Sequence, residues 1–385
     1  ADKYECERDI SHLSKPEKRK ARKKAKKLIL YSAQLLQLIG LNGSKYLTSQ
    51  MFDLYKQKCE KDEMYARASR VINPRTGKLM KFSTPLDKQN QRKAEYLNII
   101  HGLEKIAQSY GWIASFVTLT LPPAFHPNPS LGKNSYNGAS PDECRNELSK
   151  YWQQIRSRLA KHKIIAGNDY FGSKTVEAHQ DSTLHSHALI FHPIQHTQSI
   201  YDVVIDVGTT NGASFDCAIT EDIKNCAMYQ MKYMFKSFDN ENENINFFGK
   251  NLDPKKASAM RTMAVRDFYN LRGYSFFGLD NKKGAWDFLC SEFKKYKSVL
   301  PEDFYQCLKE RDFFKYHTLY KDCIEKKAIN NKFIGYEIDF SKLNLPGQQR
   351  YVLIEKNAFG FLNMDSGYIE KNKINLESEY KTINN

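Results

Sequence analysis

The chain has 385 residues, with 59 Lys plus Arg against 44 Asp plus Glu, a formal net charge of +15, and 41% hydrophobic and 13% aromatic residues. A chain of this length holds two or three folded units with a substantial core, which excludes a peptide hormone or a disulfide miniature. The basic surplus favours a polyanionic partner, nucleic acid before an anionic membrane, and the apolar content excludes wholesale disorder. No stretch reaches the roughly 18 apolar residues of a membrane span; the best, Leu28 to Leu41, is interrupted by Ser32, Gln34 and Gln37. The charged N-terminus has no apolar segment behind it and the eight cysteines form no CxxC pair. A soluble protein of a reducing cytosol is therefore expected, without a signal peptide, a membrane partner or a zinc ribbon.

Residues 15 to 27 carry nine basic residues and one acid, a block suited to phosphate contact. They open a helical region to about residue 72, with Leu28, Leu35, Leu36 and Ile39 at helical spacing and a stop at Gly40 and Asn42-Gly43. Asn73-Pro74-Arg75-Thr76-Gly77 marks a boundary, and a second helix follows from about Asp87 to Tyr110. The β-branched run Ser115 to Leu121 stops at Pro122-Pro123 and leads through a loop from about Pro127 to Pro141. Residues 142 to 163 return to helix, with Leu148, Trp152, Ile155 and Leu159 on one stripe. Strands Lys174 to His179 and Leu184 to Phe191 form a hairpin through Gln180 to Thr183. Another strand, Asp202 to Val207, leads through Gly208 to Gly212 towards a helix from near Thr220 to Phe238. An Asn/Glu-rich loop beyond residue 240 opens a helical region to about 330, and the tail holds short strand candidates such as Gln349 to Glu355, with no internal repeat. The expected class is α+β, a central antiparallel sheet carrying helices, with helical N-terminal and C-terminal regions. Its expected divisions are 1–105, 106–240, 241–330 and 331–385.

His185-Ser186-His187 sets two imidazoles at i and i+2, on one face of a strand, and Glu177 and His179 repeat that spacing on the preceding strand. A hairpin brings the carboxylate beside the histidine pair. Two imidazoles and a carboxylate with open positions suit a divalent ion that also touches substrate. His126, His192 and His196, in Pro-containing stretches, read as ordinary surface residues.

On the helix expected from Thr220, Tyr229 at zero on the wheel puts Tyr233 at about 40°, Lys236 at about −20° and Lys232 at about −60°. Ile223, Ala227, Met231, Met234, Phe235 and Phe238 fall opposite. The tyrosines are therefore off the buried stripe, on a basic face. A phenol is scarcely ionised at neutral pH, so neighbouring lysines and a cation on the phosphate are what would let it act as a nucleophile.

Three motifs in order make the chain resemble the HUH single-strand endonucleases, most closely the phage replication gene A protein family of rolling-circle initiators. They are Phe116-Val-Thr-Leu-Thr-Leu-Pro122, Glu177-Ala-His-Gln-Asp-Ser-Thr-Leu-His185-Ser-His187 and Tyr229-Gln-Met-Lys232-Tyr233. Arg272-Gly-Tyr-Ser-Phe-Phe-Gly278 with Trp286 is similar to a segment downstream in the family, and the resemblance covers roughly 112 to 290. Ser182 stands where the family usually has Gly, Leu184 where it often has Pro, and Ser186 where a bulky hydrophobe separates the histidines.

The resemblance implies a nickase that starts rolling-circle replication in a bacterial cell. Glu177, His185 and His187 would hold Mg²⁺ or Mn²⁺, with His179 behind them or as a substitute ligand. Tyr229 or Tyr233 would attack the scissile phosphate of single-stranded origin DNA to leave a 5′-phosphotyrosine link, and Lys232 and Lys236 would steady the phenolate or the phosphate. The Gly-Lys pairs at 77, 132 and 249 are followed by Leu79, Asn134 and Asn251, so none completes a phosphate loop and a separate helicase is expected. The N-terminal helices are assigned to duplex beside the nick. Rival readings are a transposase or plasmid relaxase of the same chemistry, a DNA-binding regulator with a structural histidine cluster, and a metal-dependent hydrolase that uses water.

Overall fold

The computed structural model describes residues 14–72, 79–234, 245–247, 250–252, 254–279, 282–329, 331–343, 351–355, 360–363 and 369–370. The chain forms two compact units, one of residues 1–56 and 103–279 and one of 57–102 and 280–385. The class is α+β, as the sequence predicts.

The first unit is built on a five-stranded antiparallel sheet. Its elements in chain order are helices α1 (Lys15–Leu35), α2 (Ser49–Ala68) and α3 (Pro85–Ser109), strand β1 (Ile113–Thr120), helix α4 (Pro141–Lys161), strands β2 (Phe171–Ala178) and β3 (Leu184–His192), helix α5 (Thr197–Thr210), strand β4 (Phe215–Thr220), helices α6 (Cys226–Met234) and α7 (Pro254–Tyr269), and strand β5 (Tyr274–Phe277). Helices α2 and α3 belong to this unit only in part. The strand order is β4-β1-β3-β2-β5, so β3, the histidine strand, is central and buried along its whole length.

Alternation along the strands gives the sheet two faces. One face packs on α4 and α5, where Trp152 meets Phe277 at 5.0 Å and Tyr151 meets Phe215 at 5.4 Å between ring centroids. The stripe Leu148, Trp152, Ile155 and Leu159 is buried there. A Ser140 capping box, closed by Glu143, starts α4. The other face carries the predicted ligands.

Four local expectations are corrected. Asp202 to Val207 lies inside α5 and is not a strand; Ile200, Val203, Val204 and Val207 are buried at i, i+3, i+4 and i+7, so helical burial overrides β-branched propensity. The tyrosine helix begins at Cys226, because Thr220 ends β4 and Glu221 to Asn225 form a connection. Residues 69 to 72 are a strand, not the end of a helix. The stretch 241 to 330 contains strands Ile245–Phe247, Lys250–Leu252, Tyr274–Phe277 and Ile324–Ile329. His192 is corrected as well: it is 0% exposed, with Nε2 2.8 Å from the Ser115 hydroxyl.

The second unit holds a three-stranded antiparallel sheet of Ile324–Ile329, Lys332–Asp339 and Tyr351–Glu355. Trp286, Phe304, Phe313 and Tyr316 are buried in it. Strands Ser69–Ile72, Leu79–Lys81, Gly360–Asn363 and Ile369–Glu370 make a further sheet. Among the described residues no helix is long and apolar enough to cross a membrane, and the seven described cysteines are buried and free of disulfides.

Gly172 on β2 sits where a Cβ would lie 1.9 Å from the Leu189 carbonyl oxygen of β3. Gly172→Ala must push apart the two strands that carry the candidate ligands, and is expected to destabilise the protein by about 3 kcal/mol or more in denaturant unfolding.

Candidate metal centre and tyrosine helix

Register assembles the cluster. Glu177 pairs with His185, and Thr175 pairs with His187, across β2 and β3; Thr118 and Thr120 of β1 face His187 and His185 from the other side. Glu177, His185 and His187 are all buried, with ligand atoms within 4.8 Å of one another. Glu177 Oε2 lies 3.4 Å from His185 Nε2 and 3.8 Å from His187 Nε2. Ligand atoms each about 2.0–2.2 Å from one ion stand about 3–4 Å apart, so this donor set fits a divalent cation. Thr118 Oγ1 lies 3.1 Å from His187 Nδ1, which orients the ring with Nε2 towards Glu177. Ser186 is fully buried and pairs with Leu119 and Val176 on the opposite face.

The turn of the hairpin is braced by the N-terminal segment. His179 N donates to Thr183 O at 2.7 Å and Thr183 N to Asp181 Oδ1 at 3.0 Å. Ser182 adopts φ +66°, a left-handed conformation costing about 1–2 kcal/mol outside glycine; its hydroxyl donates to the Tyr46 carbonyl, and Tyr46 N donates to Gln180 O at 2.8 Å. Gln34 reaches the Asp181 carbonyl, and the Tyr269 hydroxyl of α7 reaches the Ser182 carbonyl. Gly40, at φ +107°, leaves no room for a Cβ, which would lie 2.3 Å from the Asn128 carbonyl oxygen. The Asn128 amide donates to the carbonyls of Ile39 and Leu41 at 3.1 and 2.7 Å. In the basic block, Lys26 and Lys27 are ion-paired with Asp267 and Asp142. The N-terminal region is thus part of the scaffold under the cluster.

Helix α6 crosses the ligand face. Its N-terminus is held by Glu104 of α3, which accepts from Ala227 N at 2.9 Å. Gln230 is buried and donates to the His187 carbonyl at 3.1 Å and to the Thr175 hydroxyl at 3.3 Å. Tyr229, 41% exposed, packs edge-on against Phe116 at 4.6 Å between centroids. Phe116 precedes Thr118 by two residues on the same face, about 7 Å along β1. Lys236, and the side chains of Lys232 and Tyr233, lie outside the described residues.

His179 packs against His185 at 4.1 Å between centroids, and His126 packs against His179 at 5.1 Å. His126 is therefore a half-buried neighbour of the cluster, bonded to Asp181 at 3.1 Å, and His196 is half-buried too, with Nε2 3.8 Å from Asp169 Oδ1. Both differ from the surface placement expected. Nothing local in the sequence links His126 to the hairpin, because its partners are some fifty residues away. Burial pushes the Asp181 pKa up, but hydrogen bonds from His126 and Thr183 outweigh it and hold the carboxyl below its usual range. Arg266 of α7, which no sequence motif singles out, lies within the electrostatic reach of Glu177: burial lowers its pKa, and the charge of Glu177 acts in the opposite sense.

A sequence model of the family described as bacteriophage replication gene A protein matches residues 13–264. The chain is 26% identical over 260 residues to the replication protein of Haemophilus phage HP1, covering 62% of this chain and 32% of that protein. It is 28% identical over 196 residues to the replication gene A protein of Escherichia phage 186, covering 50% and 25%. A probable replication endonuclease from a prophage-like region of Salmonella typhimurium is 23% identical over 262 residues, covering 64% and 32%. The chain spans about a third or less of the length of these relatives. No solved structure matches it.

Thr118→Val removes the hydroxyl beside His187 Nδ1 while keeping its shape. Mn²⁺ affinity, measured by calorimetry, is expected to fall about 10- to 100-fold, with the unfolding midpoint little changed.

Proposed function

The chain belongs to the bacteriophage replication gene A protein family, and on that premise we propose that it is a site-specific endonuclease and strand transferase that nicks single-stranded DNA at a replication origin. One observation carries the proposal: Tyr229 and the Glu177, His185 and His187 cluster share one sheet face, with α6 tied to the histidine strand through Gln230.

Glu177, His185 and His187 are the residues that would hold Mg²⁺ or Mn²⁺. When bound, the ion would draw electron density from a non-bridging oxygen of the scissile phosphate and so make the phosphorus more electrophilic. Phe116 steadies the Tyr229 ring while leaving it accessible. Attack by Tyr229, or by Tyr233 one turn on, would form a tyrosyl ester with the 5′-side phosphate and release a 3′-hydroxyl able to prime synthesis. The ester conserves the phosphodiester energy, so resealing needs no nucleotide cofactor. Two tyrosines on one helix would allow a second transfer after one round of copying. Lys232 and Lys236 are assigned to the phosphate or the phenolate, and His179 to buttressing His185. The charge of +15 suits the DNA partner. Base access and in-line attack require a displaced strand, which a separate helicase would supply during copying, in the bacterial host cytoplasm.

With labelled single-stranded origin DNA and Mn²⁺, the protein is expected to give a denaturation-resistant protein–DNA band. Tyr229→Phe combined with Tyr233→Phe should abolish the band, and so should His185→Ala. Survival of the band in both overturns the proposal. Cleavage without the band in the double-Phe variant identifies water as the nucleophile, and binding without any cleavage identifies a regulator.

A further inference from the structure

Beside the cluster the first unit opens a cleft of about 870 Å³, whose walls include Glu177, His185, His126, Tyr46, Lys133 and Ser214. His126 is anchored in that wall. Its Nδ1 is 3.1 Å from Asp181 Oδ2, and its ring stands edge-on to His179. Asp181 cannot swing away, since it is buried, its other oxygen accepts from Thr183 N at 3.0 Å, and its own carbonyl accepts from Gln34. A fixed carboxylate on Nδ1 sets the ring orientation and leaves Nε2 as the nitrogen available to a ligand in the cleft.

The strand-transfer chemistry proposed above lacks one participant. As the tyrosyl oxygen–phosphorus bond forms, the phosphorus–3′-oxygen bond breaks and its electron pair goes to the 3′-oxygen. An alkoxide is a poor leaving group at neutral pH unless it is protonated as it departs. Neither the phenol nor the Glu177, His185 and His187 set has that task. Resting on the nickase proposal, we propose that His126, positioned by Asp181, is the general acid that gives its Nε2 proton to the departing 3′-oxygen and the base that takes it back when the strand is resealed. The phenol proton is lost to solvent, His126 is reprotonated from solvent, and no further reactant is needed. His126 would be a catalytic residue and Asp181 a positioning residue.

The test compares two single-stranded origin oligonucleotides, one normal and one with sulfur replacing the 3′-bridging oxygen, because a thiolate leaves without protonation. The variant His126→Gln keeps an amide donor for Asp181 and so preserves the fold. It is expected to form the covalent adduct about 10²-fold or more slowly on the normal strand, but at close to the unsubstituted rate on the sulfur-bridged strand. Asp181→Asn should show the same selective rescue with a smaller initial loss. Equal slowing of His126→Gln on both strands, or no slowing on the normal one, overturns the assignment of His126 while leaving the nickase intact. If the unsubstituted protein forms an adduct with neither strand, both proposals fall.

Discussion

The site depends on the pairing of β2 with β3 in one register. Glu177 meets His185 only because Ala178 pairs with Leu184, and a slip of one residue would send the carboxylate and the imidazoles to opposite faces. Three ionisable groups are buried together at a point where apolar side chains would pack more cheaply. Such a cluster persists where the surrounding structure fixes it. Here the central position of β3, paired with β1 on one side and β2 on the other, supplies that constraint.

The turn that sets the register is not self-sufficient. Ser182 occupies a left-handed conformation that glycine adopts at little cost. Its compensation comes from distant segments: the Tyr46 carbonyl, the Tyr269 hydroxyl and the Gln34 amide all bind the residues of the turn. The Ser182 hydroxyl contributes a hydrogen bond to the Tyr46 carbonyl that glycine could not make. The same contacts give the N-terminal region a structural duty. Gln34 and Tyr46 bond to the turn that supports the Glu177, His185 and His187 cluster, and Lys26 and Lys27 are engaged in ion pairs, so part of the basic block's charge is neutralised within the unit.

Helix α6 shows how a tyrosine can be held in place without being buried. Gln230 and Ala227 face inward and are fully buried, while Tyr229, between and beside them on the helix, keeps 41% of its surface. An amide bonded to the histidine strand fixes the helix in depth, and Glu104 fixes its start. The phenol therefore rides on a support attached to the same strands that carry the Glu177, His185 and His187 cluster.

What the sequence determined by itself was local and periodic. The spacing of two in His185 and His187, the matching Glu177 and the short polar link between two apolar runs specify a hairpin with its candidate ligands on one face, because strand alternation needs no distant information. The helices with continuous apolar stripes, such as α4, were legible for the same reason. Where two local signals conflicted, as in the β-branched but helically spaced Ile200 to Val207, the burial available in the folded unit decided. Only tertiary structure could bring His126 to Asp181, Glu104 to the start of α6, and Tyr229 to the ligand face through Phe116. Each of these joins residues roughly fifty to more than a hundred positions apart, and such pairings are set by packing the whole unit, which no short window of sequence encodes.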